Sequence, residues 1–133
     1  MPSAEEHVKM YEYNKNFFDN ISGIEKCENW KNVVIYYASL HLIDKIIIDY
    51  SESKKAKGEL LTDYYEHPDN HSQRKKSLAT IYPPDDPIRL SYKALEEESR
   101  KCRYWFYEAT VNSVERVNKR LKRIAEVALS SPA

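Results

Sequence analysis

Apolar residues recur along most of this chain at helical intervals, and five helices can be placed from that spacing. The first is predicted over Ala4–Ile21, with Val8, Tyr11, Phe17, Phe18 and Ile21 as its stripe, and Ser22-Gly23 breaks it. The second starts near Asn29 as N-cap and runs to about Ser51. Its apolar positions (Val33, Val34, Ile35, Tyr36, Tyr37, Leu40, Leu42, Ile43, Ile46, Ile47 and Ile48) cover most of the circumference. A helix apolar on all sides belongs in a core or an interface. Its β-branched residues weaken intrinsic helix propensity, so packing must hold it. A strand over Val33–Tyr37 is the rival, but the apolar run is too long and lacks turn punctuation.

The polar stretch Ser51–Pro68 reads as irregular in part, with a helical continuation open over Glu59–Glu66, and His67-Pro68 ends it. Asn70 begins a short third helix, with Gln73 in capping-box position. Tyr82-Pro83-Pro84-Asp85 is a rigid break, after which Asp86 caps a fourth helix with Pro87 at its first position. Ile88, Tyr92, Leu95, Cys102 and Phe106 give that helix its spacing. The pattern loosens over Glu108–Val111, and Asn112 with Glu115 forms another capping box. The last helix runs to about Leu129 on Val114, Val117, Leu121, Ile124 and Ala128, before a tail, Ser130–Ala133, expected to fray. No internal repeat is evident. The expected fold is an all-α, up-and-down bundle of about five helices in a single domain, residues 1–133.

Composition agrees with helices: 2 glycines are few for tight hairpins, and 32% of residues are charged. The 21 basic and 21 acidic residues cancel, so overall charge gives no argument for nucleic acid, and any such case rests on local patches. Cys27 and Cys102, far apart in sequence, read as two buried thiols of a reducing compartment. No signal peptide, transmembrane run or lipidation motif is read, and the simplest expectation is a cytoplasmic protein with no membrane partner.

Several constellations could carry chemistry. His71 and Arg74 open the third helix three residues apart, where both could converge on an anion with the free N–H groups of the helix start. The blander alternative has His71 serving the helix start and Arg74 solvated or paired with an acid. His41 sits in the apolar helix near Tyr37 and Asp44; it is a general base oriented by a carboxylate or, more commonly, a satisfied core or interface histidine. Arg100, Lys101, Arg103 and Tyr104 end the fourth helix beside Trp105, Phe106 and Tyr107, a mixture able to grip single-stranded RNA by phosphate contact and stacking. Arg116, Lys119, Arg120, Lys122 and Arg123 crowd the last helix, where a solvated face is the favoured reading. Lys54-Lys55-Ala-Lys57 and Arg74-Lys-Lys76 are further basic stretches. His67, Asp69 and His71 have metal-ligand chemistry, but Pro68 prevents helical presentation and no cysteine pair is near, so no metal or other cofactor is expected. Gly23 and Gly58 stand alone, which excludes a Gly-rich phosphate loop, and no serine lies in a nucleophile elbow.

Taken together, Tyr36-Tyr37-Ala38-Ser39-Leu40-His41, the short helix from His71 to Leu78, and Ser99-Arg100-Lys101-Cys102-Arg103-Tyr104 resemble the HEPN superfamily (higher eukaryotes and prokaryotes nucleotide-binding). The order of the helices resembles its small stand-alone prokaryotic members, over about Trp30–Ile124. The resemblance implies a helical bundle that dimerises through its long helices and associates with RNA or a nucleotide. In many members it also implies metal-independent ribonuclease activity and pairing with a nucleotidyltransferase antitoxin. Their active site is an Arg followed four to six residues later by His. Here no arginine precedes any of the histidines, His7, His41, His67 and His71, so that motif is absent. The expectation is a module that binds RNA or a nucleotide through His41, His71, Arg74, Arg100, Arg103 and Tyr104, as a homodimer through the apolar helix. A structural partner subunit of a toxin–antitoxin or nucleotidyltransferase system ranks second. A divergent ribonuclease using His71 and Arg74 ranks third.

Overall fold

The computed structural model describes residues 1–105 and 107–130, and these form an all-α bundle of five helices with no strand among them. The helices are α1 (Ala4–Ile21), α2 (Glu28–Ala56), α3 (His71–Ile81), α4 (Pro87–Tyr104) and α5 (Val111–Ser130). Phe106 and the tail beyond Ser130, both expected to have defined roles or behaviour from the sequence, lie outside the described residues.

The second helix is the spine, packed against all four others. Its all-round apolar character is used within the chain: Ile35, Leu42, Ile43 and Ile47 are fully enclosed, and they share one core with Tyr92 and Leu95 of α4 and Leu121 and Ile124 of α5. Its large exposed apolar side chains are Trp30 and Tyr37. The expected homodimer through this helix would therefore have those two, with half-buried Val34 and Leu40, as its apolar surface.

Polar residues buried on α2 fix how the other helices lie. Asn32 donates to Glu98 of α4 (3.2 Å) and Ser113 of α5 (3.2 Å), while the Tyr36 and Tyr92 hydroxyls meet at 3.4 Å. Residue numbers rise on α2 as they fall on α4, so those two helices are antiparallel. At its other end Lys45 donates to Asp49 (2.6 Å) and to the Ala128 carbonyl (2.8 Å), so α5 runs parallel to α2. That ammonium also satisfies a carbonyl at the negative end of α5. Lys31 reaches the Ser22 carbonyl at 3.1 Å and closes the α1–α2 turn.

Three helix ends differ from the sequence expectation. First, α2 continues past Ser51 to Ala56. Lys54 and Lys55 suit its last turn, and Gly58, with φ +73, closes it: the Gly58 N–H bonds the Lys55 carbonyl and the Glu59 N–H the Lys54 carbonyl. This is a Schellman ending, for which Gly is the preferred residue. The Glu59–Glu66 stretch is not helical. Second, the α5 cap is Thr110 with Ser113, each side chain accepting the other's backbone N–H (3.1 and 3.0 Å), rather than Asn112 with Glu115. Third, Cys27 is the N-cap of α2, without a side-chain cap bond. Asn29, freed from that role, accepts from the Ala109 N–H (2.7 Å) and donates to the Tyr107 carbonyl (2.7 Å). Asn29→Ala should cost about 1–2 kcal/mol through those two unmatched backbone groups. Asn112→Ala should stay within about 0.5 kcal/mol. Urea denaturation midpoints of the two variants check this.

Where sequence and structure agree, the chemistry is visible. Asn70 accepts from the Gln73 N–H (3.0 Å) and Asp86 from the Ile88 N–H (2.8 Å), with Pro87 at the first position of α4. Among the described residues no helix is long and apolar enough to cross a membrane.

Candidate functional site

Three residues along a helix turn about 300°, so residues i and i+3 diverge by roughly 60°. That divergence separates His71 from Arg74. Arg74 points into the bundle, where Nε donates to Asp44 Oδ1 (2.7 Å) and Nη2 to Oδ2 (3.0 Å). Both partners are buried. Burial works against the guanidinium charge, yet the carboxylate more than offsets it and raises the arginine's pKa. Burial also pushes the Asp44 carboxyl above its ordinary value, against the pull of Arg74. Arg74 is thus the clamp between α3 and α2, with its Nε and Nη2 paired to both oxygens of one carboxylate.

His71 turns the other way, toward α4. Its Nε2 lies 3.7 Å from Glu96 Oε1, and its ring centroid is 6.1 Å from that of Tyr92. Burial lowers its pKa, with Glu96 opposing, and so favours the neutral ring. Its buried Nδ1 has no hydrogen-bond partner among the described residues, and Nε2, at 3.7 Å from Glu96, is beyond hydrogen-bond range.

His71 opens a cleft of about 380 Å³ between α3 and α4. The third helix contributes His71, Lys75 and Leu78, spaced i, i+4, i+7. The facing stripe of α4 is Arg89, Tyr92 and Lys93, Glu96 and Glu97, then Arg100, and Pro84 closes one end. Leu78 and Tyr92 are buried beneath it, while Lys75, Lys93 and Arg100 are exposed. Glu96 is buried and bonded by the Arg100 guanidinium, so one of the two carboxylates is already neutralised. Arg89 donates to the Tyr82 carbonyl (3.1 Å), which holds its head at the cleft mouth. The cleft is therefore lined by four basic residues, of which Arg100 is paired with Glu96, and by the second carboxylate, Glu97, around an apolar floor.

The remaining candidates are placed elsewhere. His41 turns to α1, where its Nδ1 meets Nδ1 of His7 at 3.1 Å. Asp44 is committed to Arg74, so His41 is not aligned by that carboxylate. Burial, then the nearby His7 and Arg74, lower the His41 pKa to about 4. Arg103 lies one turn beyond Arg100, with its guanidinium 5.0, 5.7 and 5.9 Å from the Tyr104, Tyr36 and Tyr37 ring centroids. It also donates to the Tyr37 hydroxyl (3.2 Å). Arg103 and the exposed Tyr104 thus form a cation–aromatic cluster at the end of the α4 stripe, outside the cleft. Of the basic residues of α5, Arg116, Lys119, Lys122 and Arg123 are exposed and Arg120 is half-buried. Among the described residues, no group of three or more His, Cys, Asp or Glu side chains is placed to hold a metal ion.

Lys75 was offered only within the Arg74–Lys76 basic stretch, and Arg89, Lys93 and Glu96 were not among the sequence candidates. Their helical spacing was readable, but which stripe of α3 faces which stripe of α4 depends on the Arg74–Asp44 clamp. His7 was also missed. It continues the stripe of Tyr11 and Phe18 at i, i+4, i+11, and it is buried whereas Phe17 is exposed.

No family model, curated protein or solved structure matches this chain.

Proposed function

We propose that the chain is a HEPN-like helical module that binds RNA or a nucleotide through phosphate groups held in the α3–α4 cleft. The observation that supports this is the convergence of Lys75, Arg89, Lys93 and Arg100 on one cleft with the ring of His71 at its edge. Cations held apart by two helices suit an anion whose oxygens diverge, as phosphate oxygens do. The floor of Leu78 and Tyr92 lowers the local dielectric and strengthens those contacts. Arg103 and Tyr104 continue the same helical stripe, where a base next to the bound phosphate would find a stacking surface. Arg74 has a structural role in this reading and makes no ligand contact.

The test is equilibrium binding of a labelled single-stranded RNA and of a nucleoside triphosphate at low salt. Lys75 and Lys93 are exposed and have no ion-pair partner among the described residues, so Lys75→Glu with Lys93→Glu should leave the fold intact. The double variant is expected to bind at least tenfold more weakly. For the RNA, its log–log salt dependence should be shallower by about 0.7 for each phosphate that the variant no longer neutralises. No binding by the unmodified protein, or equal binding by the variant, would rule out the cleft.

A further inference from the structure

The His7–His41 contact joins the middle of α2 to the first turns of α1, and it can exist in only some protonation states. Two Nδ1 atoms at 3.1 Å need one to donate and the other to accept. Two neutral rings meet this, one with its proton on Nδ1 and the other on Nε2. A singly charged pair also meets it. With both rings charged, two Nδ1–H groups point at each other and the contact must open. His7 is buried and the ring centroids are 5.3 Å apart, so little solvent separates the charges.

We infer that His7 and His41 form an acid-released latch that holds the N-terminal half of α1 on α2. The surroundings favour opening once both rings are charged. From α2 the only carboxylate bearing on His7 is Asp44, and it is already occupied by Arg74 of α3, whose own charge opposes protonation of both rings. From the loop before α3, His67 adds another titratable ring close enough to oppose charge on His7, and its buried Nδ1 has no hydrogen-bond partner among the described residues. From α1 itself Glu6 favours charge on His7, but it is exposed and held by the Ser3 cap. One turn along, α5 presents Lys122 and Glu126 beside Tyr11, a pair of opposite sign.

In the first turns of α1 the buried side chain is His7, with half-buried Tyr11 packed on the core one turn along. The helix packs chiefly against α2, and its buried residues are His7 and Phe18. Opening the latch frees its first half, while the Lys31–Ser22 bond keeps the α1–α2 turn closed. The sign follows from linkage. Both rings are depressed below the ordinary histidine value, so their contribution to docking is complete above about pH 6.5. It falls away as the pH drops toward about 4, where His41 titrates.

The latch is independent of ligand binding, and its test contains no ligand. Amide hydrogen exchange of the full chain, corrected for intrinsic rates, is compared at pH 7.5 and pH 4.5. Protection in α1 from His7 to Asn14 is expected to fall at least tenfold relative to α4 and α5. The His7→Asn/His41→Asn variant, which keeps short hydrogen-bonding side chains without a titrating ring, should lose less than threefold. Unchanged α1 protection in the unmodified protein, or the same loss in the variant, would overturn the latch. Should the variant fail to fold at pH 7.5, the ring signals of the unmodified protein decide. The loss of protection must then share its midpoint with the His41 titration, and a midpoint more than one pH unit away refutes it.

Discussion

Replacing Arg74 with alanine should destabilise the fold by about 3–5 kcal/mol, because it strands a buried carboxylate. Asp44 is 2% exposed, and both of its oxygens are bonded to that one guanidinium. In a protein of this size the loss corresponds to a thermal midpoint lower by on the order of 10 °C. The variant also carries a pH signature. Burial already pushes the Asp44 carboxyl upward, and without Arg74 only the weaker influence of His7 and His67 opposes that push. A carboxyl whose folded pKa is raised supports stability below its unfolded pKa and withdraws it as pH rises. The deficit of Arg74→Ala should therefore shrink toward pH 4 and be full at pH 7. Combining Arg74→Met with Asp44→Leu removes both charges and should restore most of the loss. Urea denaturation of the three proteins at both pH values measures this. A loss below about 1 kcal/mol would mean that Arg74 is solvated and that α3 is held by something else.

Truncating Ile47 to alanine should cost about 2–5 kcal/mol, the range for removing a large aliphatic side chain from a packed core. Ile47 is completely buried on the spine helix, in the same core as Leu121 and Ile124. The surrounding residues come from several helices and cannot all collapse into the gap, which places the cost in the upper part of that range. Leu60→Ala is the control. Leu60 is 96% exposed in the segment after α2, and its truncation should change stability by less than about 0.5 kcal/mol. Denaturation midpoints with unchanged m-values would report both effects. Similar small costs at the two positions would contradict the assignment of α2 as the core.

These two sites mark what the sequence revealed and what it withheld. The all-round apolar pattern of α2 was enough to place it at the centre, because only a buried helix can carry so many β-branched and aliphatic residues. Asp86-Pro87 and Asn70 were equally readable, since their side chains bond backbone N–H groups two or three residues away. The Thr110–Ser113 cap was less visible because Asn112 and Glu115 offer the same spacing two residues later. What did not show was long-range pairing. Nothing near Arg74 in sequence announces Asp44, thirty residues earlier, and nothing near His41 announces His7. Each histidine and arginine had to be weighed by its neighbours, and so a shared His71–Arg74 anion site stood beside the pairing of Arg74 with an acid; the structure has that pairing, and the two side chains reach different helices. The two cleft lysines were hidden for the same reason: Lys75 and Lys93 look like ordinary surface lysines until α3 is set against α4.

The α3–α4 cleft as a phosphate site is tested most directly by mapping amide chemical shifts of the labelled full chain during titration with a nucleotide and with a short single-stranded RNA. The expected perturbations centre on His71, Lys75, Tyr92, Lys93, Glu96 and Arg100, and for the RNA they extend to Arg103 and Tyr104. Perturbations confined to the outward face of α5, around Arg116, Lys119 and Arg123, or no perturbation at low salt, would contradict it.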